Sequence, residues 1–200
     1  MLNHLQRRHQ HVSWERVVSG MGLLDLYAFL LDYRHASTPA WLEEEMRGTD
    51  TAAAISAAAL ADSDAVCVET MQLFVSLYGA EAGNLALKVM SRGGLYVGGG
   101  IAPKILPLLQ TGTFLAAFLD KGRMQPLLAA MPVKVILNDR AALYGPALFA
   151  AQPGVLFPPF GGSRRRQREV GNEKTESRNH LRSLFHFLTF LLSWKWRMDP

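Results

Sequence analysis

Positions 93 to 100 read Gly-Gly-Leu-Tyr-Val-Gly-Gly-Gly, three β-prone apolar residues closed by glycines at both ends. Such a run is too short for a helix. Its glycines mark turns, so it reads as a short buried strand that ends in three glycines. Ile101 to Leu109 then reads as a helix interrupted by Pro103 and Pro107. Further on, Val133-Lys134-Val135-Ile136-Leu137 is a second strand, followed by a helix over Ala141 to Ala151. Buried strands alternating with helices define an α/β fold whose two visible strands are expected to be parallel. Two strands make a thin sheet, which points to structure beyond this sequence.

The segment before the first strand is helical. Leu2 to Gln10 forms a helical piece with no capping residue ahead of it, so the expected natural start lies upstream. A connector with a β-prone centre follows over His11 to Gly20. Ser19 caps a helix from about Gly20 to Leu31, with Leu23, Leu24, Tyr27, Leu30 and Leu31 on one face. Thr38-Pro39 gives a hydroxyl cap with proline at the first helical position. Glu43-Glu44-Glu45 lies near the positive end of that short helix. Ala52 to Ala61 is a small-residue helix, and Asp62-Ser63-Asp64 starts the longest one, about Ala65 to Ser91. Gly79 and Gly83 lower helix propensity in its middle, so close packing against a neighbour is the expected reason for them. Phe114, Phe118 and Leu119 continue as helix to a turn at Asp120-Lys121-Gly122-Arg123.

Charge divides the chain. Residues 1–160 hold twelve Lys and Arg against thirteen Asp and Glu, whereas residues 161–200 hold nine against four. The pI near 9.4 therefore belongs to the tail. There Arg164-Arg165-Arg166-Gln167-Arg168 precedes Leu181, Leu184, Phe185, Leu188, Leu191 and Leu192 on one helical face, joined by Trp194 and Trp196. The basic run lacks interleaved aromatics and any reading module, so no nucleic acid is expected as partner. An anionic membrane surface is the alternative partner for the amphipathic stretch 181–196. No apolar run reaches the roughly 20 residues of a membrane span, and the first residues lack a secretory signal, so the reading is cytoplasmic. The single cysteine, Cys67, reads as a small core residue. His4, His9, His11 and His35 show no metal spacing, and no metal site is assigned.

A resemblance rests on five stretches in order. They are Val12-Ser13-Trp14-Glu15-Arg16-Val17-Val18-Ser19-Gly20-Met21-Gly22-Leu23, Gly83-Asn84-Leu85-Ala86-Leu87, the glycine-framed strand through Pro103, Phe118-Leu119-Asp120-Lys121-Gly122-Arg123-Met124, and Pro132 to Asn138. Together they resemble the latter part of the bacterial glucokinases. The resemblance implies part of the C-terminal domain of the actin-like ATPase (ribonuclease H-like) fold over residues 1–152, incomplete, with an unrelated basic tail over 153–200. It also implies transfer of the ATP γ-phosphoryl group to the 6-hydroxyl of glucose, with Mg²⁺ carried on the nucleotide. In the family's order, the first phosphate loop, the catalytic aspartate and the Glu-Gly-Gly-His sugar motif precede the stretch resembled here. The expectation is therefore a truncated chain with no catalytic residue of its own.

By the same resemblance Glu15 accepts hydrogen bonds from glucose hydroxyls, a task suited to a carboxylate with two acceptor oxygens. Gly98, Gly99 and Gly100 would let the backbone approach ATP near its adenosine and ribose. By itself a strand–Gly-Gly-Gly–helix turn is an ordinary tight connection. A helix start after it would favour polyanions. Ser19, Gly20 and Gly22 are read as lining the same cleft, with helix capping an equal reading for Ser19. The competing class is a non-catalytic interaction protein acting through its tail, and a homo-oligomer is left open.

Overall fold

The computed structural model describes residues 1–138 and 140–151. The tail expected over 153–200 and the amphipathic helix expected over 181–196 lie outside the described residues. Helices account for most of the described residues: α1 (Leu2–Arg8), α2 (Gly20–Arg34), α3 (Ala40–Gly48), α4 (Thr51–Leu60), α5 (Ala65–Val89), α6 (Leu106–Leu109), α7 (Thr113–Leu119), α8 (Gln125–Ala129) and α9 (Ala141–Ala150). Two strands, β1 (Leu95–Val97) and β2 (Val133–Val135), pair in parallel, with Leu95 opposite Val133 and Val97 opposite Val135. The chain divides into two compact units, residues 1–97 with 101–135, and residues 98–100 with the segment from Ile136 onward.

In the first unit the core is helical and centred on α5. Asp64 starts that helix by accepting a hydrogen bond from the Cys67 N–H at 2.7 Å, satisfying one of the amides that a helix start leaves unpaired. Met71, Phe74 and Val75 on α5 are each 1% exposed, and Leu26 of α2 and Ile55 of α4 are completely buried. Burial of side chains of this size stabilises by roughly 1.5–3 kcal/mol each. Against the opposite flank of α5 lies α7. A Cβ on Gly83 would stand 2.5 Å from the Phe118 carbonyl oxygen, and one on Gly79 would run into the Phe114 carbonyl. The two glycines thus bring the helices together, as their position in an otherwise apolar helix predicts. Rings of Phe74, Tyr78, Phe114 and Phe118 follow one another along the contact, with centroids 6.0, 5.5 and 6.4 Å apart. Such aromatic pairs add about 0.5–1.5 kcal/mol each beyond burial.

Cys67 is fully buried, and burial, with the Asp64 carboxylate beside it, pushes its thiol up to about 12. Tyr78 is likewise pushed up to about 12 by burial. Short α1 docks on α2 through the fully buried Leu5 and through polar pairs. His9 Nε2 lies 2.9 Å from Asp25 Oδ2, Arg8 Nη1 lies 3.4 Å from Asp25 Oδ1, and His4 Nδ1 lies 3.3 Å from Asp32 Oδ2. At the far end of α2, Arg34 grips Glu69 of α5 with two N–H donors at 2.9 and 2.7 Å, which lowers the Glu69 carboxyl below its ordinary range.

Several expected boundaries shift. The His11–Gly20 connector contains a 3-10 turn at Trp14–Arg16 in place of β structure. Helix α3 begins at Ala40 with Pro39 in the capping position and no side-chain cap. On α2, Leu24 is 37% exposed and Leu26 is buried in its stead. Residues 101–105 are turns, and only Leu106–Leu109 is helical. The reason is Pro107, which cannot donate to the carbonyl four residues back and so restarts the helix. In the second unit α9 carries no buried residue, although its sequence is almost wholly apolar. Among the described residues no single helix is long and apolar enough to cross a membrane.

Candidate functional site

Glu15 sits in the middle of the 3-10 turn Trp14–Arg16. The Arg16 N–H bonds to the Ser13 carbonyl at 3.0 Å, and the Val17 and Val18 N–H groups bond to Trp14 O at 3.1 and 2.8 Å. Directly after the turn Ser19, 1% exposed, accepts a hydrogen bond from the Gly22 N–H at 2.9 Å and so begins α2. A Cβ on Gly22 would stand 2.7 Å from the Val17 carbonyl carbon and 2.8 Å from Arg16 O. Only glycine lets the first turn of α2 lie this close to the Glu15 turn. Gly22 therefore positions Glu15, a role that capping and one-face periodicity did not reveal. Its signal was the Ser-Gly-x-Gly spacing after Val17-Val18.

The Glu15 side chain is exposed, and among the described residues it forms no hydrogen bond or ion pair. Neighbouring Arg16 does not engage it. Both carboxylate oxygens thus stay open to hydrogen-bond donors.

The second locus begins where β1 ends. Gly98 lies against Ile136, whose Cδ1 would be 3.4 Å from a Cβ at Gly98. Gly99 has φ of 97°, left-handed backbone in which a side chain is strained. A Cβ at Gly100 would meet nothing within 4 Å, so its main chain is open to an approaching molecule. These features leave bare backbone accessible at the turn. The helix start expected just beyond is not there, because residues 101–105 form turns. No helix N-terminus follows the glycines to favour a polyanion, and what they offer is backbone access.

Glu15 belongs to the first unit and Gly98–Gly100 to the second. No cluster of three or more His, Cys, Asp or Glu able to hold a metal occurs among the described residues. An apolar cavity of about 110 Å³ lies elsewhere, lined by Ala59, Met71, Val75 and Leu108 among others, and contains none of the expected site residues.

A parallel strand pair packed on a helical core defines an α/β domain. Residues 1–153 match the family model described as Glucokinase. The chain belongs to the glucokinase family. It is 48% identical over 165 residues to the glucokinase of Nostoc punctiforme, covering 76% of this chain and 48% of that protein. It is 47% identical over 165 residues to the glucokinase of Synechocystis sp., covering 76% of this chain and 46% of that one. A solved glucokinase structure from an Antarctic psychrotroph superposes with a TM-score of 0.63 at 34% identity, over 73% of this chain and 42% of the other. The chain spans about half the length of the curated relatives it matches.

Proposed function

We propose that residues 1–152 are the latter part of a glucokinase of the actin-like ATPase fold, working in transfer of the ATP γ-phosphoryl group to the 6-hydroxyl of glucose. In this reading Glu15 accepts hydrogen bonds from sugar hydroxyls, and Gly98, Gly99 and Gly100 let the nucleotide run along the main chain. The observation that carries it is the exposed, unengaged Glu15 carboxylate, held by Gly22 within a segment that the family model covers.

Phosphoryl transfer also needs a base for the attacking hydroxyl and groups that neutralise the transferred phosphate. No residue of the five matching stretches takes those roles, and the 200-residue chain alone is expected to leave glucose unphosphorylated. Missing base catalysis by itself costs about 10²–10⁴-fold, and missing positioning costs more. A coupled assay giving turnover of roughly 1–10³ s⁻¹, the usual enzyme range, would overturn this.

Glucose binding tests Glu15 directly. Trp14, 39% exposed, stands next to it on the same turn and provides a fluorescence signal. Hydrogen bonds to a charged group contribute about 1.5–3 kcal/mol, so Glu15→Gln should weaken glucose about 10- to 100-fold. An unchanged titration would remove Glu15 from the sugar site.

A further inference from the structure

Helix α9 holds no charged residue, and none of its side chains is buried. Leu143 is 65% exposed, Tyr144 63%, Leu148 70% and Phe149 47%. A contiguous apolar surface of this kind marks a place of contact. Gly145 stands among these residues, and a Cβ there would meet nothing within 4 Å, so a neighbour can come down onto bare backbone. Pro146 follows inside the helix and has no N–H to give the carbonyl of Ala142, one turn back. The described residues leave this face open.

We propose that the occupant of the α9 face is this chain's own segment Leu181 to Trp196, laid across α9 as a second helix. Pattern, charge and connection select it. Leu181, Leu184, Phe185, Leu188, Leu191 and Leu192 recur at helical spacing and give one apolar stripe. From Ser183 to Trp194 the segment holds no Lys, Arg, Asp or Glu, and Arg182 and Lys195 stand just outside. As a helix that uncharged stretch is about 18 Å long, against about 15 Å for α9. The two can therefore meet along their length with no charge taken out of water between them. Residues 152–180 join them, and a chain of that length reaches well beyond the span of α9. Joined segments meet at an effective concentration on the order of millimolar, which places the segment ahead of a second copy in dilute solution. The inference is independent of the sugar and nucleotide reading, and its test uses neither glucose nor ATP.

Cross-linking in the full chain tests it. Leu148→Cys and Leu188→Cys are combined and treated with a short bis-maleimide, to which the buried Cys67 is inert. The expected product is a 148–188 link within one molecule, formed at least about tenfold faster than the 148–177 link of Leu148→Cys with Ser177→Cys. Ser177 is nearer along the chain, so tethering alone would favour the second pair. Adding Leu184→Glu and Leu191→Glu should bring the first rate down to the second, with hydrogen exchange at α5 checking that the fold is kept. Equal rates in the two cysteine pairs overturn the proposal, as does a rate indifferent to the glutamates. A link between two molecules also overturns it and makes a second copy the occupant. So does fast linking seen only with anionic phospholipid vesicles, which makes a lipid surface what brings the segments together. If the cysteine pairs lose protection at α5, exchange on the unaltered chain decides. A ten-residue helix is marginal by itself, so protection at the Tyr144, Leu148 and Phe149 amides that is the same at every protein concentration supports the cover. Absent protection, or protection that grows with protein concentration, overturns it.

Discussion

The contact between α5 and α7 and the pairing of β1 with β2 draw on similar apolar residues and reach different ends. On α5, glycines at 79 and 83 bring a second helix so near that Phe114 and Phe118 close over Phe74 and Tyr78, with the three phenylalanines buried and Tyr78 half-buried. The interior of α5 pairs its backbone groups within the helix, so this contact needs no neighbouring strand to satisfy them. A strand cannot finish itself. Its peptide groups alternate between two neighbours, and among the described residues β1 has one, so the Tyr96 peptide group is turned outward. The difference explains how a chain half the length of its relatives holds a dense helical core beside an unfinished sheet.

Substitutions should separate the two regions, with the largest losses in the helical contact. Phe118→Ala removes a ring that is 1% exposed and should cost about 3–5 kcal/mol of stability, measured as a shift of the urea midpoint. Gly83→Ala should cost about 1–3 kcal/mol, because the added methyl meets the Phe118 carbonyl and the Lys121 side chain, and backbone on that side has no room to yield. A loss below about 0.5 kcal/mol, the range of ordinary surface changes, would show that α7 can shift away from α5.

Alkali provides a probe of the same core. The Cys67 thiol and the Tyr78 hydroxyl are both held up to about 12 in the folded chain, against 9.0 and 10.0 when unperturbed. Between those values the unfolded chain releases protons that the folded chain keeps, so stability falls as pH rises from about 9 toward 12. Thermal melts across that range should show the fall, and Cys67→Ala should reduce it. The same burial should leave Cys67 unreactive toward iodoacetamide at pH 8 until the protein unfolds. Smallest of all is Tyr96→Thr, which keeps β propensity on an exposed strand position and should change the stability of the chain alone by no more than about 0.5 kcal/mol. A loss as large as that from Gly83→Ala would mean that the sheet face is covered.

What the amino-acid order made legible was whatever is decided within one turn of chain. Ser19 and Asp64 cap because a short oxygen-bearing side chain stands just ahead of a helix, and both were readable. Gly79 and Gly83 were readable as a packing site because no conformational need explains glycine inside a helix. Contacts between distant positions left no local trace. Asp25 meets His9 across sixteen positions, and Leu5 is wholly buried on a helix of seven residues. Leu26 replaces Leu24 in the core because α4 and α5 decide which stripe of α2 is covered. Pro107 shows the limit of reading a single residue, since the ring that seemed to interrupt one helix begins another. At the candidate site, Glu15 and the three glycines came from resemblance. Gly22, which holds the Glu15 turn in place, emerged only from the closeness of α2 to Val17.

Residue-resolved hydrogen exchange on the full chain tests the contrast between core and sheet most directly. Amides of Phe74, Val75 and Ala82 on α5 should exchange only through global unfolding, while the Tyr96 amide should exchange with no measurable protection. Protection at Tyr96 equal to that of α5 in the isolated chain would show an edge already covered, and the difference between a finished core and an unfinished sheet would be contradicted.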